Sequence, residues 1–258
     1  MTKLGIESKR QGWWHVSCSM VLALGALTSE SATAGAATFS TTNIQYLYGT
    51  KYELGDETRS IITLEHVNAW KYGDNFFFVD ITNPNRTGEN TGTEFYGEIS
   101  PRLSLSALSG KQLSAGIVKD VLITTTMEVG DAGAGFHNYL YGVAVDLNIL
   151  PVAQINYYVR NEINSTTELG SQITLVWLAP FSLGAVDVSF EGFFDYAWGN
   201  DPSEDNIVAG PRLLMDVGKF FGAPQTLQAG IEYQYWKNKF GIKDVNENVP
   251  QAMVKWIW

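Results

Sequence analysis

QAMVKWIW, residues 251–258, carries the first indication of how this chain folds. Successive side chains of a β-strand point to opposite faces, so this stretch has one apolar and one mixed face. The apolar face consists of Ala252, Val254, Trp256 and Trp258. Such a strand would be an adhesive sheet edge in a water-soluble domain, whereas a closed barrel has no edge. Tryptophan also suits the membrane–water rim of a barrel. We therefore expect a closed β-barrel, and the aromatic end resembles the terminal signal of bacterial outer-membrane proteins.

The composition favours β structure without long apolar helices. Tyr, Phe, Trp and Gly are abundant, and aromatic residues are enriched in strands. The mean hydropathy of -0.06 excludes a bundle of membrane-spanning helices. It agrees with a transmembrane barrel, in which half of each strand faces the lumen. The formal net charge of -10 argues against a nucleic-acid partner.

Residues 1–36 have the pattern of a secretory signal peptide. Basic residues precede the apolar run Val16–Leu27, and small residues follow it up to Ala36. The run is too short to cross a bilayer as a helix. We predict cleavage near Ala36, which leaves a barrel domain over residues 37–258. The only cysteine, Cys18, lies within the predicted signal, so we expect no disulfide and no cysteine-bound metal in the barrel.

Alternating segments recur along the rest of the chain, separated by clusters of Gly, Asn, Asp and Pro. The clearest is Ala185–Trp198, where Val, Phe, Tyr and Trp alternate with Asp, Ser and Glu. We predict twelve strands, an even number such as bacterial barrels require. They are Thr42–Thr50, Ser60–Lys71, Asn75–Thr82, Thr93–Ser104, Gln112–Met127, Phe136–Asn148, Pro151–Ile163, Leu169–Ala179, Ala185–Trp198, Ile207–Val217, Gln225–Lys237 and Gln251–Trp258.

The connections between these strands differ in length. Short ones lie at Tyr72–Asp74, Ile149–Pro151 and Pro180–Gly184, and long polar ones at Asn83–Gly92, Gly199–Asn206 and Asn238–Asn248. Short periplasmic turns and longer extracellular loops produce this asymmetry. A soluble barrel or sandwich is the alternative, because alternation alone does not distinguish the two. The predicted signal, the terminal Trp258 and the charges on every predicted inner face favour a barrel in the outer membrane.

Three segments resemble those of a known family. They are FFFVDITNP at residues 76–84, EISPRLS at 98–104 and FFDYAWG at 193–199. All three are similar to segments of the nucleoside-specific channel (Tsx) family, and FFVD is closest to its OmpK-type branch. The resemblance implies a monomeric twelve-stranded barrel in outer-membrane lipids, with a narrow pore that passes nucleosides. It also implies that the protein can serve as a phage receptor.

The predicted inner faces carry candidates for contact with a solute. A nucleoside is a neutral base on a hydroxyl-rich sugar, so aromatic rings can stack on the base and carboxylates can accept hydrogen bonds from the sugar. Arginines can donate to base carbonyls. The candidates are Phe76, Phe78, Asp80, Tyr96, Glu98, Arg102, Tyr158, Arg160, Asp187, Glu191, Phe193, Asp195 and Arg212. Acids outnumber bases on these faces, so we expect phosphorylated solutes to pass poorly.

A structural role is the alternative for these charges, because small barrels fill their interiors with networks of acids and bases. Arg102 with Glu98, or Arg160 with Glu162, would be such a pair. Pro101 and Pro211 each precede an arginine inside a predicted strand. Since proline cannot donate a ladder hydrogen bond, we expect a β-bulge at each position that turns the arginine into the pore.

Two other functions compete with a nucleoside channel. A surface-exposed structural barrel or phage receptor with little transport would place its function in the long loops. An enzyme is the weaker alternative, because after residue 36 the only histidines are His66 and His137, and no G-x-S-x-G motif occurs. The two histidines also lack metal-site spacing. We therefore predict no catalytic residue, no bound metal and no cofactor.

Overall fold

A computed structural model describes residues 37–84, 92–131, 135–163, 168–199 and 201–258. The predicted signal peptide, residues 1–36, lies outside the described residues. The strands are β1 (Ala37–Thr50), β2 (Thr58–Trp70), β3 (Gly73–Thr82), β4 (Glu94–Ser104), β5 (Val118–Gly130), β6 (Phe136–Leu147), β7 (Val152–Ile163), β8 (Gly170–Leu183), β9 (Val186–Trp198), β10 (Asn206–Ala209 and Arg212–Asp216), β11 (Leu227–Lys237) and β12 (Glu247–Ile257).

Antiparallel pairing joins every strand to the next one and closes the sheet into a barrel. The closing pair is β12 with β1, in which Ile257 lies opposite Asn43 and Ala252 opposite Tyr48. The two segments of β10 both lie between β9 and β11, so they count as one interrupted strand. The prediction of a twelve-stranded antiparallel barrel is confirmed.

The barrel is apolar on its outer wall and polar on its inner wall, the reverse of a water-soluble domain. Exposed apolar side chains cover the outside of the strands, among them Tyr46, Tyr48, Leu64, Val79, Phe95, Ile99, Ile123, Met127, Val143, Tyr157, Phe190, Leu213, Ile231, Val254 and Trp256. Buried polar side chains line the inside, among them Asn43, Gln45, Thr63, Arg102, Thr124, Glu128, Asn156, Glu191, Glu232, Gln251 and Lys255. The strand period of two separates the two sets, as the pattern of residues 251–258 indicates.

The two prolines interrupt the sheet without adding a residue, so the expected bulges are wrong. On either side of Pro101, Ile99 pairs with Met127 and Arg102 with Thr124, which is one continuous register between β4 and β5. The β10–β11 register is equally unchanged across Pro211. A proline lacks only its own N–H, and losing that one ladder bond does not require the strand to slip.

The connections form a long-loop end and a short-turn end of the barrel. Two connections on the short-turn side are longer than the sequence suggested, residues 105–117 and 217–226. The first contains helix α1 (Leu105–Ser109), which begins where the Ser104 hydroxyl accepts a hydrogen bond from the Ala107 amide at 3.0 Å. Within the described ranges, no helix has the length and apolar character needed to cross a membrane.

Candidate functional site

Four aromatic side chains form a continuous line on the inner wall, and we call them the aromatic ladder: Phe76, Phe78, Tyr96 and Phe136. The ring centroids of Phe76 and Phe78 on β3 lie 5.7 Å apart. Phe78 lies 5.7 Å from Tyr96 on β4, and Tyr96 lies 6.1 Å from Phe136 on β6. All four are only partly buried, so their faces remain available to a solute in the lumen.

Carboxyl groups alternate with these rings. Asp80 is the cross-strand partner of Tyr96, and Glu98 is the partner of Phe78. The Tyr96 hydroxyl donates to Glu98 Oε1 at 2.5 Å. Thr63 Oγ1 donates to Asp80 Oδ1 at the same distance. This part of the wall therefore presents a ring and a carboxyl at successive positions.

Asp195 on β9 is a third acid of the same kind. It lies opposite Thr174 in the β8–β9 register, and its Oδ1 atom is buried without a hydrogen-bond partner. Among the described residues, Asp80, Glu98 and Asp195 form no ion pair with a lysine or arginine. We call these three the unpaired carboxyls. They can accept hydrogen bonds from a passing solute.

Arg102, by contrast, is engaged with the barrel itself. Arg102 binds Asp74 through two hydrogen bonds of 2.8 and 2.7 Å and reaches Asp146 at 2.9 Å. The expected Arg102–Glu98 pair is therefore wrong. Asp74 takes that place because it lies directly opposite Arg102 in the β3–β4 register.

Arg160 is the centre of a second network. Its guanidinium binds both oxygens of Glu128 at 2.7 and 2.8 Å and contacts Glu162 at 3.2 Å. The Gln172 side-chain oxygen accepts a further bond at 2.9 Å. The Arg160–Glu162 pair is thus confirmed, although Glu128 is the dominant partner. A fork of two parallel bonds fixes the guanidinium plane and leaves it few free donors.

A third group includes contacts between strands that are not neighbours in the sheet. Arg212 donates to Glu232 at 2.5 Å and lies 3.7 Å from Glu65 on β2. Lys255 on β12 donates to Glu191 on β9 at 2.6 Å. Leu47, Leu214 and Met253, from β1, β10 and β12, pack together and are almost fully buried. We call this part of the interior, with its three ion pairs and three apolar side chains, the packed side.

The remaining predicted site residues lie away from the aromatic ladder. The Tyr158 ring is buried, and its hydroxyl lies 2.9 Å from Thr124 Oγ1. Phe193 packs against Gly210, where an added Cβ would approach its ring to 2.6 Å. Asp187 lies near the β8–β9 turn and pairs with Lys219 at 2.6 Å, with both side chains substantially exposed.

Several inner-wall residues were missed from the sequence. Asp74 and Glu128 lie one residue outside the predicted ends of their strands, and Glu65 lies in a segment whose parity was ambiguous. Phe136 shares the parity of Asn138, which would have placed it on the inner face. No cluster of three or more His, Cys, Asp and Glu side chains suited to a metal ion occurs in the described ranges.

The sequence comparisons with known proteins agree on one family. The family model described as "Nucleoside-specific channel-forming protein, Tsx" matches residues 36–256. Outer membrane protein OmpK of Vibrio parahaemolyticus is 26% identical over 180 residues, 67% of each chain. The protein of the same name from serotype O3:K6 is 23% identical over 246 residues, 87% of this chain and 91% of the relative. The solved structure "KdgM porin in complex with disordered oligogalacturonate" has a TM-score of 0.49 at 9% identity, covering 83% of this chain and 98% of its own. Because the family model spans more than half of the sequence, this chain belongs to the Tsx family of channel-forming proteins of the bacterial outer membrane.

Proposed function

We propose that the channel admits nucleosides by passive diffusion along the aromatic ladder. The observation that carries this proposal is the alternation of partly exposed rings with carboxyls that no cation neutralises. The description of the matching family model, which names nucleoside-specific channels, supports the same solute class.

The chemistry of the wall matches the two halves of a nucleoside. A base can stack on Phe76, Phe78 and Tyr96 in turn, and base–aromatic stacking is worth about 1–3 kcal/mol per base in single-strand binders. Sugar hydroxyls can donate to Asp80 and Glu98 beside those rings. Each contact is modest, so a solute is held at several places and trapped at none. Arg102 and Arg160 take no part in this proposal, because carboxylates already occupy most of their donors.

The proposal extends to the state of the protein. We propose that residues 1–36 are a cleaved signal and that residues 37–258 act as a monomer without catalytic activity. The monomeric state is supported by β12 pairing with β1, since a sheet closed on itself offers no free edge to a second copy. Recognition by a phage at the long loops is a separate and compatible role.

Block of ion current in planar bilayers tests the solute class. Nucleosides at millimolar concentration are expected to reduce the current more than free sugars do, because sugars lack a base to stack. Phe78→Ala should raise the half-blocking concentration about fivefold or more, since it removes at least about 1 kcal/mol of stacking. Phe77→Ala is the matched control, because Phe77 is on the same strand as Phe78 but points to the outer wall, where its ring stacks on His66 of β2. Nucleosides should block the ion current of this control as they block that of the unaltered protein.

Each outcome of this experiment has a distinct reading. If nucleosides block the ion current of Phe78→Ala and Phe77→Ala equally, the aromatic ladder is not the path of the solute. Open-channel current without any nucleoside effect would reject the solute class. A barrel that gives no single-channel steps would favour the surface-recognition alternative over transport.

A further inference from the structure

A buried lysine ties two long loops together at the mouth of the barrel. Lys239 belongs to loop 238–246 and is 2% exposed. Its ammonium donates to Glu247 Oε2 at 2.7 Å and to the Glu53 carbonyl oxygen at 3.3 Å. The rings of Trp236 and Phe240 lie 4.9 and 5.6 Å from the same nitrogen. A carboxylate and two aromatic faces thus form a cage around one ammonium ion.

Glu247 is the anchor of this arrangement. It lies on the inner wall at the start of β12 and is 1% exposed. Besides Lys239, it accepts hydrogen bonds from the Glu53 amide at 2.8 Å and from the Gln234 side chain at 2.5 Å. One carboxylate therefore holds a residue from loop 51–57 and a residue from loop 238–246.

Loop 51–57 is also held in place by contacts of its own residue Tyr52. The Tyr52 hydroxyl donates to Gln251 Oε1 on the inner wall at 2.5 Å, and Tyr52 is almost fully buried. The Arg59 guanidinium stacks 4.8 Å from the Tyr52 ring and donates to the Asp56 carbonyl oxygen at 2.9 Å. Burial raises the pKa of the Tyr52 hydroxyl, so it stays a hydrogen-bond donor at physiological pH.

A second lysine of the same loop shows how unusual this environment is. Lys243 has a side chain 74% exposed and lies 3.8 Å from Glu204, a solvent-screened pair that contributes little. The Lys239 ammonium is buried away from solvent. Burial lowers its pKa, and the Glu247 carboxylate opposes that shift. An ammonium buried in this way depends on its cage, and the cage carboxylate depends on the ammonium.

We propose that Lys239 is a tethered cation that holds loops 51–57 and 238–246 folded into the channel mouth, and that its cage is a binding site for a primary alkylammonium ion. With the ammonium in place, both loops lie over the inner wall formed by β1 and β12. Without it, Glu247 is left buried and uncompensated, and the two loops separate so that its carboxylate can reach water. This gating role rests on the channel activity of the family and not on the identity of the solute.

Single-channel recording in salt solution, with no nucleoside present, tests the proposal. Lys239→Ala should lose the single stable conductance level and show a higher conductance with rapid loop-driven fluctuations. Lys243→Ala is the matched control from the same loop and should behave like the unaltered protein. If Lys239→Ala also keeps one stable level at the original conductance, Lys239 does not hold the mouth and the proposal fails.

Chemical rescue distinguishes a specific cage from a general loss of packing. Propylammonium reproduces the atoms that Lys239→Ala removes, so adding it should restore the original conductance of that variant in a saturable manner. Propanol, which lacks the charge, should not restore it. Equal effects of propylammonium on Lys239→Ala and Lys243→Ala would indicate a nonspecific action in the pore and would overturn the binding site.

A second variant covers failure of Lys239→Ala to fold, which heat-modifiable migration on a gel reports. Lys239→Met combined with Glu247→Met replaces the ion pair by apolar side chains of similar volume, a change that is often tolerated. This double variant should fold, keep one conductance level and ignore propylammonium. A response of the double variant to propylammonium would contradict the cage, because its carboxylate is then absent.

Discussion

Carboxylates on the inner wall fall into two groups that differ in what neutralises them. Glu128, Asp74 and Glu232 each bind an arginine at hydrogen-bond distance, whereas Asp80 and Glu98 bind hydroxyl groups and no cation within the described ranges. In a polar interior the first group cross-braces the strands of the wall. The second group keeps acceptor capacity for a solute. The same residue types thus serve stability at one place and, in the proposed function, recognition at another.

Arg160 provides the residue-scale test of bracing. Arg160→Met removes the guanidinium that binds both oxygens of Glu128, and breaking a buried pair typically costs about 3–5 kcal/mol. We expect a clear fall in the urea concentration at the midpoint of unfolding. The folded fraction is measured by its mobility on a gel. Arg160→Lys should restore only part of the loss, because a lysine cannot form the two parallel bonds to Glu128. Lys243→Met, which breaks an exposed pair, should change the midpoint little.

An unchanged midpoint in Arg160→Met would mean that Glu128 is stabilised by something other than this arginine. Asn138, which donates to Glu128 Oε2 at 2.8 Å, is the neighbour to test next.

The face of a residue could be predicted from the sequence far better than its partner. Alternation placed Phe78, Glu98 and Arg102 on the inner wall correctly. Partners depend on register between strands, which alternation does not specify, so Arg102 was assigned to Glu98 instead of Asp74. Hydrogen-bonded cross-strand pairs are therefore beyond what one strand's pattern can reveal.

At the scale of the strand, certain glycines mark positions where two backbones lie unusually close. A Cβ added to Gly142 on β6 would lie 1.9 Å from the Tyr157 carbonyl oxygen on β7. The same holds for Gly230 on β11, where the Leu213 oxygen would lie at 2.0 Å. Backbone atoms cannot yield as a flexible side chain does, so these positions require the absence of a side chain.

Gly142→Ala is accordingly expected to weaken the β6–β7 pairing. Overpacking typically costs about 1–3 kcal/mol, and a clash with backbone should fall at the upper end. The measurement is the fraction of protein with folded, heat-modifiable mobility after refolding into detergent micelles. Gly97→Ala is the comparison, because the nearest atom to its added Cβ lies at 3.0 Å and needs only a small shift. Equal folding of the two variants would refute the close approach at Gly142.

Strands were predictable because a barrel wall between lipid and a polar interior imposes a strict period of two. Strand ends were less predictable, since the last residues of a strand leave the membrane and lose that constraint. Asp74 and Glu128 are cases of this kind. The prediction of bulges at the prolines was wrong for another reason. A missing N–H was taken to imply an inserted residue, yet β4 continues through Pro101 in register.

At the scale of the whole molecule, the interior is divided. The packed side, with Arg212–Glu232, Lys255–Glu191 and three apolar side chains, joins β9, β10, β11, β12, β1 and β2 across the lumen. The aromatic ladder lies on β3, β4 and β6. A solute is therefore expected to follow one wall of the barrel, and no alternation pattern could have located that division, because it depends on contacts between strands far apart in the sequence.

Charge on that wall gives the last prediction, which concerns phosphorylated solutes. Asp80, Glu98 and Asp195 have no cationic partner among the described residues, and the chain as a whole carries 27 acids against 17 bases. A nucleoside monophosphate brings about two negative charges past these groups, so it should block ion current less than the nucleoside with the same base. At a pH at which the Glu98 carboxyl is ionised, Glu98→Gln should narrow that difference, because the amide keeps the shape and removes the charge. Asp187→Asn, near the short-turn end and paired with Lys219, is the control and should leave the difference unchanged.

Salt provides an independent measure of the same effect. Screening acts over roughly 10 Å at 0.1 M and over roughly 3 Å at 1 M, so raising salt should bring monophosphate block closer to nucleoside block. Stacking on the aromatic ladder carries no net charge, and nucleoside block itself should therefore vary little with salt. If monophosphates block as strongly as nucleosides at low salt, the unpaired carboxyls do not face the path of the solute. Discrimination between nucleosides and monophosphates would then have to arise at the channel mouth, where Glu247 and Lys239 neutralise each other. The Lys239→Ala variant would then be the one that changes this discrimination.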